Sequence, residues 1–291
     1  MKDSAKTLAI VFALVITAAL SGCSSKKDTS YFYDVVDATS AVQSYEGITE
    51  VNIKGFYGND EITVDLMRDM SLIVEPFFAD INEKLSIRYS ENEPEVKTAR
   101  LVVDSTDSAD MVYLYDNDKW LKESVTVEDL RNEVSKCDVI ESGIMLMKSA
   151  YDIQKLGSEE INGEKADVYE GLIPNVMIAD VLDITGAAYK FKTDWDSSYY
   201  ENSGDLPVTL WVNSEKIIIG YELDITNVMQ NIVDRFYEEN DLSDTYEDIK
   251  FESFKAKGTV SEYNNEIDRA IPEEALNADY FTADDGNVEN Q

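Results

Sequence analysis

The sequence contains no histidine, and this absence limits the chemistry that the protein can perform. Imidazole is the usual base of Ser-His-Asp and Cys-His nucleophilic systems and a frequent zinc ligand. Most hydrolase mechanisms and all His-ligated zinc sites are therefore excluded. No G-x-S-x-G, Walker or dinucleotide-binding motif occurs either. The sequence thus predicts a protein that is not an enzyme and that uses no metal and no cofactor.

Cysteine and basic residues are also scarce. The chain has two cysteines, Cys23 and Cys137, and 25 Lys and Arg against 59 Asp and Glu, which gives a formal net charge of -34. Such a charge repels polyanions, so no nucleic acid is expected as a partner. Such acidity is typical of a solubility or lineage bias, with weak divalent-cation binding or docking to a basic partner as the alternatives. Cys137 is expected to be a small buried residue.

A long apolar run that could cross a membrane is missing. The run at residues 8–20 is shorter than the roughly 20 residues of a membrane-spanning helix. Lys2 and Lys6 precede it and Leu20-Ser-Gly-Cys23 follows it, which is typical of a signal peptide with a lipobox. We therefore expect export, cleavage before Cys23 and acylation of Cys23, for example with palmitate. An ordinary secretory signal with a cysteine nearby by chance is the alternative.

The expected organisation follows from this anchor. The signal peptide covers residues 1–22, a lipidated flexible tether covers residues 23–30, a single domain covers residues 31–278 and an acidic disordered tail covers residues 279–291. Two acyl chains hold a protein on a membrane stably, because each buried methylene contributes about 0.8 kcal/mol. The protein is therefore expected to be extracytoplasmic and attached to the cell membrane through the lipid on Cys23.

Alternation of apolar and polar residues predicts about ten strands. Asn162-Gly163 indicates a tight hairpin turn, and the isoleucines Ile217 and Ile219 are expected on one buried face of a later strand. Four or five helices interrupt these strands, which favours an antiparallel sheet in an α+β fold. The predicted helices lie at about residues 31–43, 126–134, 144–151, 174–188 and 228–237. Residues 68–83 fit no single element.

The order of these features resembles a known family. A lipobox, a first helix, a strand meander, an apolar mid-chain helix and the segment at residues 206–224, LPVTLWVNSEKIIIGYELD, are together similar to the bacterial lipoproteins related to LolA, LolB and LppX. The hairpin at residues 161–170 is similar to the strand pair that precedes the mid-chain helix there. The resemblance implies a long curved antiparallel sheet, an unclosed half-barrel, with helices packed on its concave face. It also implies an apolar cavity, which in relatives holds acyl chains.

The mid-chain helix at residues 174–188 is apolar on most of its circumference, so we expect it to be covered on more than one side. Its second face meets either a ligand or a further helix. Met177, Ile178 and Val181 are the residues predicted to bind the ligand. The predicted function is therefore the binding of a lipid or another hydrophobic molecule. The alternative is a surface or cell-wall interaction (adhesion) protein of the same fold with a filled core.

Two further patterns concern aromatic residues and clustered aspartates. Aromatic residues in a polar loop, Trp195, Tyr199 and Tyr200, are candidates for carbohydrate stacking or for contact with a partner or membrane. Strand tyrosines such as Tyr113, Tyr115 and Tyr221 are instead expected in the core. Clustered aspartates lack a calcium-binding loop, so solvated turns are expected there. They are Asp104, Asp107, Asp110, Asp116 and Asp118.

Overall fold

The structure is a computed structural model. It describes residues 29–105, 110–125, 131, 134–186, 200, 202–239 and 249–281. The chain divides into two compact units, residues 1–34 and 35–291. Cys23, Trp195, Tyr199 and Asp107 lie outside the described residues, as does most of the helix predicted at residues 126–134. No helix in the described ranges is long and apolar enough to span a membrane.

One sheet of twelve strands dominates the described part of the chain. Its strands are β1 Ser44–Tyr57, β2 Asp60–Ile73, β3 Phe78–Tyr89, β4 Glu95–Asp104, β5 Met111–Asp116, β6 Lys119–Ser124, β7 Tyr151–Ile161, β8 Glu164–Ile173, β9 Leu206–Asn213, β10 Ile218–Asp224, β11 Ile249–Tyr263 and β12 Asp279–Tyr280. The order across the sheet is β12-β6-β5-β4-β3-β2-β1-β11-β10-β9-β8-β7. Every neighbouring pair is antiparallel except β12 and β6. The two edges, β12 and β7, are not paired with each other, so the predicted α+β fold with an open half-barrel is confirmed.

Five helices accompany the sheet within the described ranges. They are α1 Thr29–Ser40, α2 Val139–Ser149, α3 Ile178–Ile184, α4 Thr226–Glu239 and α5 Glu273–Leu276. Helix α2 packs against β1, β9, β10 and β11, and α4 packs against β11. Helix α3 packs on α2, whereas α5 lies against β5 and β6.

The two faces of the sheet differ, as the alternation in β1 predicts. Val51 and Ile53 are buried, whereas the residues that alternate with them, Asn52 and Lys54, are exposed. A Cβ on Gly47, which shares the side of Val51, would lie 3.3 Å from Cγ2 of Val139 in α2. The buried side of β1 therefore faces α2. We call this side the helix face and the opposite side the outer face.

Close packing fixes α2 on the sheet. A Cβ on Gly143 would lie 2.9 Å from Cγ2 of Ile218, so the glycine lets the helix approach β10 closely. Ile217, Ile218 and Ile219 are all buried. A register shift between Ile218 and Gly220 interrupts the simple alternation predicted for this strand, since a bulge changes which side successive residues face.

The predicted mid-chain helix is shorter than expected. A 3-10 turn at Asn175–Met177 precedes α3, which ends at Ile184 rather than at residue 188. The Thr185 hydroxyl donates to the carbonyl oxygen of Val181 at 2.6 Å. Gly186 then has a φ of +64°, and a left-handed residue after the last turn ends a helix.

The C-terminal segment corrects two further predictions. Helix α5 lies on the outer face, because its Ala275 packs in a buried cluster with the outer-face residues Phe78, Val102 and Tyr113. The helices are thus not confined to one face of the sheet. The acidic tail is predicted to begin at Asp279, yet Asp279–Tyr280 forms β12 beside β6. The last ten residues lie outside the described ranges.

Two turns of the sheet bear on the sequence predictions. Asn162 and Gly163 have φ angles of 51° and 80°, the left-handed pair that a tight hairpin of this type requires, so the predicted turn is confirmed. Residues 68–83, which fit no single element in the sequence, contain the end of β2, a turn and the start of β3. The turn explains why no single period describes them.

Candidate functional site

A row of apolar side chains crosses five strands on the helix face. Gly47 faces α2, and its partner on β2 is Met70. Directly opposed residues of antiparallel strands share a face, so the row can be followed strand by strand from Met70. It consists of Met70, Ile81, Leu101, Leu114 and Leu121. We call these five residues the apolar row.

Burial in the apolar row decreases towards the β6 edge of the sheet. Met70 and Ile81 are 4% and 6% exposed, whereas Leu114 is 37% exposed. Leu101 and Leu121 are half-buried. Other apolar residues of the same face are also half-buried, namely Ile62, Val64, Ile87 and Val112. This end of the helix face therefore presents apolar surface that the described helices leave partly uncovered.

The other end of the helix face is filled. Under α2, Tyr221 and Leu223 of β10 are completely buried, as is Ile218. Apolar atoms removed from water in this way contribute about 25 cal/mol per Å² to folding. The packed half of the sheet thus supports the fold, and it leaves the β2 to β6 half as the candidate binding surface.

An ion pair borders the apolar row. Arg68 Nε donates to Glu83 Oε2 at 2.9 Å, and the two side chains are 5% and 17% exposed. The guanidinium lies against the end of α3, since a Cβ on Gly186 would lie 2.6 Å from Arg68 Nη1. A buried pair of this kind fixes position more than it adds stability. Here it joins β2 and β3 to the segment that follows α3.

A carboxyl group is buried where α2 begins. Burial raises the pKa of Asp138 to about 6, although a hydrogen bond from Tyr45 and the backbone N–H of Glu141 oppose this rise. The Glu141 nitrogen lies 3.0 Å from Asp138 Oδ1, so Asp138 caps α2. Burial likewise raises the pKa of Tyr45 and of Tyr221. Tyr45 of β1 and Asp138 therefore meet where α2 begins.

The predicted ligand residues occupy two different environments. Met177 is half-buried in the 3-10 turn. Ile178 and Val181 are 0% exposed, and α3, which carries them, packs on α2. The buried residues Ile178, Val181 and Leu182 form a single stripe of α3, whereas Ala179, Asp180 and Asp183 are exposed. The prediction that the mid-chain helix is covered on more than one side is therefore wrong for α3. A ligand contact for these three residues stays a prediction.

Sequence patterns indicate one member of the apolar row, Leu101, and miss the other four. Met70 and Ile81 lie in residues 68–83, which fit no single predicted element. Leu101 belongs to an alternation that predicts a strand, whereas Leu114 and Leu121 belong to no predicted apolar face. In β5 the alternating residues Met111, Tyr113 and Tyr115 predict an apolar face, but they lie on the outer face. Tyr113 is buried there by the C-terminal segment, a contact that no local pattern indicates.

The predicted core residues and the tyrosines outside the apolar row lie in several environments. Tyr221 and Cys137 are buried, as expected. Tyr115 is half-buried, and its hydroxyl donates to Asp118 Oδ1 at 3.2 Å. Burial raises the pKa of Tyr200. Within the described ranges, no three Cys, Asp or Glu side chains are grouped so that they could hold a metal ion.

Several solved structures are similar to this fold. The lipoprotein LppX of Mycobacterium tuberculosis is 13% identical over 84% of this chain and 100% of its own, with a TM-score of 0.42. LprF of Mycobacterium bovis is 14% identical over 87% of this chain and 100% of its own, with a TM-score of 0.46. A putative outer membrane lipoprotein-sorting protein domain from Vibrio parahaemolyticus is 8% identical over 81% of this chain and 93% of its own, with a TM-score of 0.23. No family model and no curated protein matches the chain.

Proposed function

We propose that this protein is an extracytoplasmic lipoprotein, anchored through Cys23, that binds a lipid or another hydrophobic molecule on the helix face of its sheet. The observation that carries the proposal is the apolar row, whose exposure rises to 37% at Leu114. Binding is non-catalytic in this proposal, because the chain has no histidine and its buried carboxyl group caps a helix.

The dimensions of the row suit an acyl chain. Neighbouring strands lie about 4.8 Å apart, so the three strands that carry Leu101, Leu114 and Leu121 span roughly 10 Å. A hydrocarbon chain lying across them would contact these three leucines, because Met70 and Ile81 are already buried by the protein. Each methylene removed from water would contribute about 0.8 kcal/mol, so a long chain could bind without a specific polar contact. A ligand of this kind also explains why the sequence shows no fixed binding motif.

One observation favours the alternative, a surface or cell-wall interaction protein with a filled core. Ile178 and Val181 are 0% exposed in the absence of any ligand, so the region around α3 has no open space beside these side chains. In this alternative the partly exposed apolar residues at the β6 end are the solvent-exposed edge of a filled core. The protein would then hold no ligand and would bind partners only through its surface.

Ligand titration of a matched pair of variants separates the two functions. Leu114 and Ile48 are 37% and 36% exposed, but Leu114 lies on the helix face and Ile48 on the outer face. Residues 24–291 would be titrated with a fluorescent fatty acid and with a fluorescent phospholipid. We expect saturable binding by the wild type and by Ile48→Asp, and at least tenfold weaker binding by Leu114→Asp, because a carboxylate cannot be buried beneath an acyl chain without a large cost.

The result that contradicts the proposal is an absence of binding by the wild type together with a lipid-free organic extract of the purified protein. If Leu114→Asp binds the ligand as tightly as Ile48→Asp does, then the ligand does not bind at the apolar row. Met177→Trp and Ile178→Trp test the ligand residues of the mid-chain helix in the same titration. In a filled core the added volume at Ile178 should cost about 1 to 3 kcal/mol of stability and leave ligand affinity unchanged.

A further inference from the structure

A groove crosses the outer face of the sheet, on the side opposite the apolar row. Its volume is about 900 Å³. Strands β2 to β6 form its floor, and the segment at residues 272–279 forms one wall. Most of the side chains that line it are polar or aromatic, so its chemistry differs from that of the helix face.

The floor contains one continuous row of side chains. Strand registers place Asp69 opposite Asn82, Asn82 opposite Arg100, Arg100 opposite Tyr115 and Tyr115 opposite Trp120. Successive strands are about 4.8 Å apart, so this row is roughly 19 Å long. It is therefore long enough for an oligomeric ligand.

The middle of the row is held in place by its own contacts. Arg100 donates from Nε and Nη2 to the two oxygens of Asp80, at 2.9 and 2.7 Å. Its guanidinium carbon lies 5.9 Å from the centre of the Trp120 ring, and the Tyr115 and Trp120 ring centres are 5.2 Å apart. Such a bidentate pair leaves three guanidinium N–H groups for other acceptors.

Exposed polar groups lie in this row and next to it on the floor of the groove. The side chains of Asn82, Lys84 and Thr98 are exposed and line the groove. A carboxamide, an ammonium group and a hydroxyl can together donate to and accept from ligand hydroxyl groups. Aromatic rings with a few placed polar groups are the combination that orients small polar ligands in a pocket.

The wall is part of the folded structure. Ala275 is 0% exposed in the cluster with Phe78, and Lys122 Nζ donates to the carbonyl oxygen of Leu276 at 2.8 Å. Strand β12 then pairs with β6. The groove is therefore preformed, and a ligand would not have to order its wall.

We propose that this groove binds a neutral oligosaccharide. The C–H faces of sugar rings pack on aromatic rings such as those of Tyr115 and Trp120, while sugar hydroxyls pair with Asn82, Thr98 and Arg100. An anionic glycan is disfavoured by the net charge of -34 and by the carboxylates of Asp118, Glu274 and Asp279, which also line the groove. The site is distinct from the hydrophobic-ligand surface and does not depend on it.

The test uses the full chain, purified in a detergent without a sugar headgroup. Chitotetraose, cellotetraose, maltotetraose and mannotetraose are titrated by calorimetry, with tetragalacturonate as the anionic comparison. We expect at least one neutral tetrasaccharide to bind and tetragalacturonate not to bind. Asn82→Ala should weaken that binding about tenfold, the effect of losing one net hydrogen bond. Ser86→Ala, on the same strand and face but outside the groove lining, should leave it unchanged.

Trp120 also packs against the Phe78 cluster, so its test needs a variant that keeps the fold. Trp120→Leu retains an apolar side chain and removes the ring, and its thermal midpoint is measured beside its affinity. We expect a loss of binding of tenfold or more. The proposal is overturned if no neutral tetrasaccharide binds the wild type, if Asn82→Ala and Trp120→Leu bind as the wild type does, or if tetragalacturonate binds better. Leu114→Asp should not affect saccharide binding.

Discussion

Replacing Asp138 by asparagine should make the protein more stable at neutral pH and alter how its stability depends on pH. Asp138 is 7% exposed and caps α2 through the backbone N–H of Glu141. Asparagine caps a helix about as well as aspartate, so Asp138→Asn keeps the cap. It removes the ability of this buried group to become charged and replaces one carboxylate oxygen by an amide NH2 group.

The size of the effect follows from the pKa. Burial raises the pKa of Asp138 from 3.8 to about 6, a difference of about two pH units at roughly 1.4 kcal/mol each. Because the folded pKa is the higher one, this group contributes about 3 kcal/mol of stability below pH 4. That contribution is lost as the pH rises through 6. The stability of Asp138→Asn relative to the wild type should therefore increase by about 3 kcal/mol as the pH rises from 4 to 7.

Urea unfolding of residues 24–291 at pH 4, 5, 6 and 7, followed by tryptophan fluorescence, measures this difference. The free energy of unfolding of the wild type is subtracted from that of the variant at each pH. The titration of the other carboxyl groups cancels in this difference. Asp138→Ala, which loses the cap as well, should be about 1 kcal/mol less stable than Asp138→Asn at every pH. If the difference between Asp138→Asn and the wild type is the same at pH 4 and pH 7, then burial does not raise the pKa of this group and the reasoning fails.

Two predictions concern the anchor and the core. Cys23→Ala should block acylation and cleavage after Gly22, and metabolic labelling with an alkyne fatty acid checks this; undiminished labelling of the variant would refute the lipobox assignment. Ile219→Asp should cost several kcal/mol, because Ile219 is 1% exposed and a carboxylate there would be buried among apolar groups. An unchanged thermal midpoint would show that this position tolerates charge.

Local sequence determined the sheet and most of its turns, because alternation and turn residues act over a few positions. The alternation in β1 identified its buried side, and Asn162-Gly163 fixed a hairpin. The lack of histidine excluded whole classes of chemistry through composition alone.

Only the tertiary structure decided what covers each face. In β5, Leu114 and Tyr113 are both apolar neighbours in the sequence, yet Leu114 lies on the partly open helix face and Tyr113 is buried on the outer face. That outcome depends on the C-terminal segment, whose Ala275 packs on strands more than 150 residues earlier in the chain. The row from Asp69 to Trp120 likewise exists only because five strands pair in one register. Cross-strand neighbours are set by long-range pairing, and a local pattern carries no information about it.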